Sequence, residues 1–190
     1  EYTLPEAVPA LVDYIDREWN GEIPVVAAGG IWDRDDIDWA MDELGAGGVQ
    51  MASRFICTEE CDASDTFKQQ YLEATEGDID LIDSPAGLPG RILTNPLARD
   101  VAGPREDVPM ECIAHCLTKC GCREEETNFC IATVLDKAQQ GDSVYGLHFA
   151  GSNAYRHTHM TTVHEIFREL TRDESPEAAE QPAATASEAR

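Results

Sequence analysis

Lysine is nearly absent. The 190-residue chain holds three, Lys68, Lys119 and Lys137, among 14 basic residues, against 37 carboxylates and a formal net charge of −23. That balance excludes nucleic-acid binding through a basic face. No run of about 18 apolar residues occurs, so no helical membrane span is expected. No signal pattern opens the chain, which points to a cytoplasmic protein. The first residue is Glu1, not Met, and it leads directly into a helical pattern, as the interior of a longer sequence would. The C-x2-C element common to zinc and iron–sulfur sites is missing. The seven cysteines are odd in number and lack an export signal, which argues against a disulfide framework. Acidic residues are spread along the chain rather than gathered in a tail. Self-repulsion on this scale destabilises a compact state in dilute buffer. The expectation is a protein adapted to high salt, where the Debye length falls to about 3 Å at molar ionic strength.

What is present organises around residues 23–55, IPVVAAGGIWDRDDIDWAMDELGAGGVQMASRF. Residues 23–28 form a short apolar run with β-branched side chains, as expected of a strand buried on both faces. Pro24 is tolerable at its start. Gly29 and Gly30 end the run. Asp33 can cap a helix whose apolar positions Ile37, Ala40, Met41 and Leu44 recur at helical spacing. Gly45, Gly47 and Gly48 stop it, and residues 49–51 begin a second buried strand. This is one βαβ unit with small residues after both strands.

Two adjacent parallel strands place their C-terminal tips side by side. Gly29 and Gly30 follow one tip; Ala52 and Ser53 follow the other. Glycine lets backbone N–H groups approach an anion unobstructed, and the next helix N-terminus adds partial positive charge. The arrangement reads as a phosphate cup, placed where (β/α)8 barrels bind phosphate beyond their last strands. The alternative is that the glycines only make tight turns.

The rest of the chain supplies helices. Residues 3–19 carry an apolar stripe of Leu4, Val8, Leu11, Val12, Ile15 and Trp19. Pro5 and Pro9 set the regular part to begin close to Pro9. Ser64 or Asp65 can cap a helix over 66–74. Residues 79–82 are a short, mostly apolar run, and 85–90 are rich in proline and glycine. Residues 102–108 read as an exposed linker. Helices are expected over 128–139 and 161–170. From 173 to 190 the composition cannot bury enough apolar area to order itself. Cys112, Cys116, Cys120, Cys122 and Cys130 follow C-x3-C-x3-C-x-C-x7-C spacing; reduced structural thiols and a metal site, with His115 as a further ligand, both remain open. His157 and His159 flank a polar position beside Arg156, which reads as a solvated segment.

The wording AAGGI, followed by GVQMASRF, resembles the nitronate monooxygenase family, formerly 2-nitropropane dioxygenases, which includes enoyl-acyl-carrier-protein reductases of the same barrel type. The resemblance implies an FMN cofactor whose phosphate is held by Gly29, Gly30, Gln50, Met51, Ala52 and Ser53. Ala52-Ser53 stands where Gly-Thr is usual in the family, so a methyl crowds the backbone while the hydroxyl is kept. Gly87, Pro89, Arg91 and Asn95 match a family pattern in a loop that would close over the flavin side; an ordinary packed connection is the alternative. Gly146 to Arg156, GLHFAGSNAYR, resembles the family's carboxy-terminal segment, implying mouth contacts from Gly151, Ser152 and Asn153, or else a helix-capping turn. Cys116, Leu117, Cys120, Cys130 and Ile131 also match that family without implying a metal.

The family's catalytic histidine lies upstream of the matched stretch, so no residue here takes that role. The implied fold is α/β: the C-terminal part of a (β/α)8 TIM barrel over 1–101, then a cysteine-containing, mostly helical extension over 102–172, then an acidic tail. A closed barrel needs roughly 250 residues, so the chain reads as a fragment whose partner is the missing N-terminal barrel part. The implied reaction is FMN-dependent oxidation of an alkyl nitronate by O2, giving a carbonyl compound and nitrite. Alternatives are NAD(P)H-dependent flavin reduction, including enoyl-thioester reduction, an IMP dehydrogenase-like barrel, or a non-enzymatic metal-binding module on the cysteines.

Overall fold

The computed structural model describes residues 3–83, 88–96, 112, 115, 116, 118, 120 and 129–172. Gly87, Cys122, the 102–108 linker and the 173–190 tail lie outside the described residues.

Helix α1 spans Leu4–Trp19. It starts five residues earlier than Pro9 suggested. The Thr3 amide and hydroxyl both donate to the Glu6 carboxylate, at 2.9 and 2.8 Å, forming a capping box ahead of Pro5. Pro9 is absorbed inside the helix. Asn20, at φ 51°, ends it in the left-handed region.

Strand β1, Val26–Ala28, is shorter than the apolar run that announced it, and it pairs parallel with β2, Gly48–Gln50. Between them α2, Arg34–Asp38, widens into a π-helical turn over Trp39–Glu43. Ala27 is 1% exposed, but Val26 is 55% exposed. The expectation of burial on both faces therefore fails: one face of β1 packs on α1 and α2, and the other is uncovered. Val8, Val25, Ala27, Ile31, Ala40 and Leu44 form the first core.

Helix α3, Asp65–Glu73, is capped by the Ser64 hydroxyl, which accepts the Phe67 amide at 3.2 Å. Strands β3, Ile79–Asp83, and β4, Pro89–Leu93, then form an antiparallel pair. The 146–151 segment returns along β4: Leu93 N–H donates to His148 O at 2.8 Å, and Ala150 N–H to Arg91 O at 3.0 Å. Helix α4, Ile131–Gln139, backs this layer through Val134, packed with Ile92, Phe129 and Leu147. Tyr71 on α3 donates its hydroxyl to Phe149 O at 2.7 Å, locking α3 to the same segment. Helix α5, Val163–Thr171, lies against α2, with Arg34 reaching Leu170 O and Arg172 paired to Asp35. Among the described residues, no helix is long and apolar enough to cross a membrane.

Candidate functional site

A cavity of about 480 Å³ opens between the β1 and β2 corners, β4 and the return segment. Its volume falls in the range of small-molecule sites, about 300–1,000 Å³. Gly29 and Gly30 line it after β1; Gln50, Met51, Ala52 and Ser53 line it after β2; Gly151 and Asn153 line it from the return segment. The strand tips are adjacent, because Ala28 and Gln50 are partners in the parallel register. Ser152 is not in the wall, but its hydroxyl lies 3.4 Å from where a Cβ on Gly30 would stand.

Both corner glycines require their lack of a side chain. Gly29 sits at φ 99° and Gly30 at φ 74°, conformations that strain other residues. Two hydrogen bonds then tie the return segment to the corners. Asn153 Nδ2 donates to Gly30 O at 2.7 Å, and Gly151 N–H donates to Ser53 Oγ at 2.8 Å. The second bond has a chemical consequence. The Ser53 oxygen is occupied as an acceptor, so its O–H proton is available to a ligand. A Cβ on Gly151 would stand 3.2 Å from Ser53 Oγ, tight enough to disturb that bond.

The expected help from a helix N-terminus is not there. The Asp36 carboxylate accepts Trp32 N–H at 2.8 Å and Asp33 N–H at 3.3 Å, while Asp33 Oδ1 accepts Asp36 N–H at 3.0 Å. The start of α2 is therefore filled by its own side chains, which bring negative charge. Arg156 answers it, 2.6 Å from Asp33 and 3.6 Å from Asp36. Partial burial raises the Asp33 pKa, but the Asp36 amide and Arg156 outweigh it and hold the carboxyl below the usual range.

His157 overturns its reading as solvated: it is 4% exposed. Its Nε2 lies 2.6 Å from Ser53 O, which assigns the Nε2–H tautomer, since a carbonyl only accepts. The imidazole meets Trp32 edge-on at 4.7 Å. Burial lowers its pKa and the bond to Ser53 O partly restores it, so the ring is neutral near pH 7. His157 thus fixes the backbone of the second corner from behind. Its alternation with His159 gave no sign of this, because the two residues leave a turn rather than a strand.

The far wall belongs to Pro89, Gly90, Arg91 and Phe149. The Gly-x-Pro-x-Arg-x-x-x-Asn stretch divides in two. Arg91 faces the cavity, whereas Asn95 is buried elsewhere, donating to Gly146 O at 2.6 Å and Ser143 O at 3.3 Å. Arg54 also lines the cavity. Its guanidinium lies 5.0 Å over Trp32 and pairs with Glu169, yet its buried Nε has no partner. Nothing in the sequence distinguished Arg54, Trp32 or Phe149.

None of the described cysteines lines this cavity. Cys120 and Cys130 are buried together, with Cys112 partly buried against them; Cys116 is exposed. Among the described residues, no three His, Cys, Asp or Glu side chains are grouped to hold a metal ion. Cys57, also buried, has its thiol pKa pushed up to about 12 by burial, so it is an inert thiol at neutral pH.

The description of the nitronate monooxygenase family matches residues 2–173, and the chain belongs to that family. A protein of Staphylococcus haemolyticus named "Probable nitronate monooxygenase" is 40% identical over 88 residues, covering 46% of this chain and 23% of that protein. The solved structure of FabK from Thermotoga maritima superposes on 90% of this chain and 49% of its own, with TM-score 0.67 and 25% identity. Nitroalkane oxidase from Streptomyces ansochromogenes covers 87% of this chain and 44% of its own, with TM-score 0.57; at 22% identity it speaks to the fold alone. Both neighbours are TIM barrels, and this chain is mixed α/β. The chain spans about half the length of these structures and a quarter of the staphylococcal protein.

Proposed function

We propose that this chain is the phosphate-binding, C-terminal portion of an FMN-dependent nitronate monooxygenase. The substrate would be an alkyl nitronate, oxidised by O2 to a carbonyl compound and nitrite. The observation that carries the reading is the convergence of Gly29, Gly30, Ser53 and Asn153 on one cavity at two paired strand tips. The residues fit a phosphate. Two corners carry small residues, the Ser53 hydroxyl proton is left to donate, and a Cβ on Gly151 would crowd Ser53 Oγ at 3.2 Å. Ala52 lies exposed at the rim, so its methyl narrows the cup without closing it.

When bound, the flavin supplies the redox chemistry. This chain's own residues hold and orient its phosphate end. The catalytic base and the remaining strands belong, in this reading, to a further N-terminal part of the barrel. The acidic composition is read in the same way, as an adaptation to high salt in the cytoplasm.

A visible spectrum of the purified full-length protein in molar salt tests this. A flavin band that bleaches under anaerobic conditions on adding an alkyl nitronate supports the proposal. Bleaching only with NAD(P)H replaces it with the reductase alternative. Absence of any flavin refutes both.

A further inference from the structure

We infer that Arg91 supplies the formal positive charge that meets the phosphate in this cavity. The inference rests on the flavin-phosphate reading above and adds a residue to it.

A phosphomonoester carries close to two negative charges at neutral pH. The cup as built does not match them. Its donors are neutral amides and one hydroxyl, and the adjoining helix start is filled by Asp33 and Asp36. In a chain of net charge −23 the surrounding field is also negative. An anion in this place therefore needs a cation of its own.

Three described arginines are near enough to consider. Arg156 is committed to Asp33 and Asp36. Arg54 pairs with Glu169 through its terminal nitrogen and lies over Trp32, so its charge is already balanced although its buried Nε has no partner. Arg91 lines the cavity and, among the described residues, has neither an ion pair nor a side-chain hydrogen bond.

Its place is set by backbone bonds. Arg91 O accepts Ala150 N–H at 3.0 Å, and the next amide, Gly151 N–H, is the one bonded to Ser53 Oγ. Arg91 therefore springs from the rim one residue from the cup. A guanidinium offers a planar fork of donors that matches a phosphate bidentately. Arg91 would set the preference for FMN over the uncharged riboflavin.

The test measures FMN and riboflavin binding by flavin fluorescence quenching, with wild type, Arg91→Met and Arg91→Lys. The salt is the lowest that preserves the native far-UV circular dichroism of each. The expected result is FMN affinity about 10- to 100-fold weaker in Arg91→Met, the range a charged hydrogen bond contributes. Riboflavin affinity stays unchanged, and Arg91→Lys is intermediate. Inorganic phosphate competes with FMN in wild type and loses that ability in Arg91→Met. If Arg91→Met keeps the wild-type preference for FMN, the role of Arg91 is refuted while the cup stands. If wild type itself binds both flavins equally, or neither, the phosphate reading and this inference fall together.

Discussion

The parallel pair β1–β2 and the antiparallel pair β3–β4 meet one cavity with different materials. From β1 and β2 come backbone groups: bared amides at Gly29 and Gly30, and the corner at Ala52 and Ser53. From β4 come side-chain features: the arginine at 91 and a glycine at 90 that makes room for Phe149. A parallel pair puts both C-terminal tips at the same end, so the turns that follow them can converge on one ligand group. The antiparallel pair instead spends the free edge of β4 on the return segment, through Leu93 N–H to His148 O and Ala150 N–H to Arg91 O. On the reading proposed above, the first sheet sets the shape of this site and β4 adds Arg91 to it.

The largest effect expected from breaking this division lies at the parallel tip. Gly30→Asp forces a side chain into φ 74° and sets a carboxylate where the phosphate would lie. FMN retention should fall about 100-fold or more, while the circular dichroism spectrum stays native. Unchanged retention in that variant would remove the cup from the first sheet.

A smaller, structural effect is expected at the hairpin. A Cβ on Gly90 would stand 2.6 Å from Phe149 Cε1, so Gly90→Ala must displace that ring. Overpacking of this kind costs about 1–3 kcal/mol, with the low end expected because the ring is partly exposed. Thermal melting measures it, and an unshifted midpoint would show that the ring swings freely.

The smallest effect concerns the histidine behind the second corner. Burial lowers the pKa of His157, and of His148, below the ordinary 6.5. The unfolded chain therefore binds protons first as pH falls. The stabilisation is complete above pH 6.5 and is lost as pH drops through the folded values. Unfolding free energies across this interval should slope upward with pH. His157→Gln should keep a bond to Ser53 O and flatten part of the slope, with His148 supplying what remains. The carboxyls held low, Glu6, Asp33, Asp38 and Glu165, titrate below their ordinary 4.5 or 3.8 and leave the upper part of this interval to the histidines. An unaltered slope in the variant would place the proton uptake elsewhere.

The first sheet could be read in the sequence; the second could not. Alternation of an apolar run, paired glycines and a 3.6-residue stripe is local, and so was visible around Gly29 and Gly48. Pairing β3 with β4 depends on contacts across a proline-rich turn, and Arg91-Ile92-Leu93 is too short to announce a strand. His157 looked solvated because its burial comes from Trp32 and Ser53, more than a hundred residues earlier. The helix start expected to help the cup is instead filled from within, because the Asp36 carboxylate folds back four residues to accept Trp32 N–H, a side-chain choice that apolar periodicity does not report. The open face of β1 follows from the chain's holding two parallel strands and no more of such a sheet among the described residues; hydrophobic patterning reports what a residue prefers, not whether a neighbour is present to cover it.

That face has a consequence of its own. Val26 holds its methyls toward water on a strand that, among the described residues, has one edge unpaired. Such a strip recognises by fit and by ladder complementarity rather than by charge. Salt, which weakens attraction between charges, therefore leaves its stickiness intact while quieting the repulsion of a net −23 surface. High ionic strength is therefore the condition under which two copies of this chain would most readily adhere.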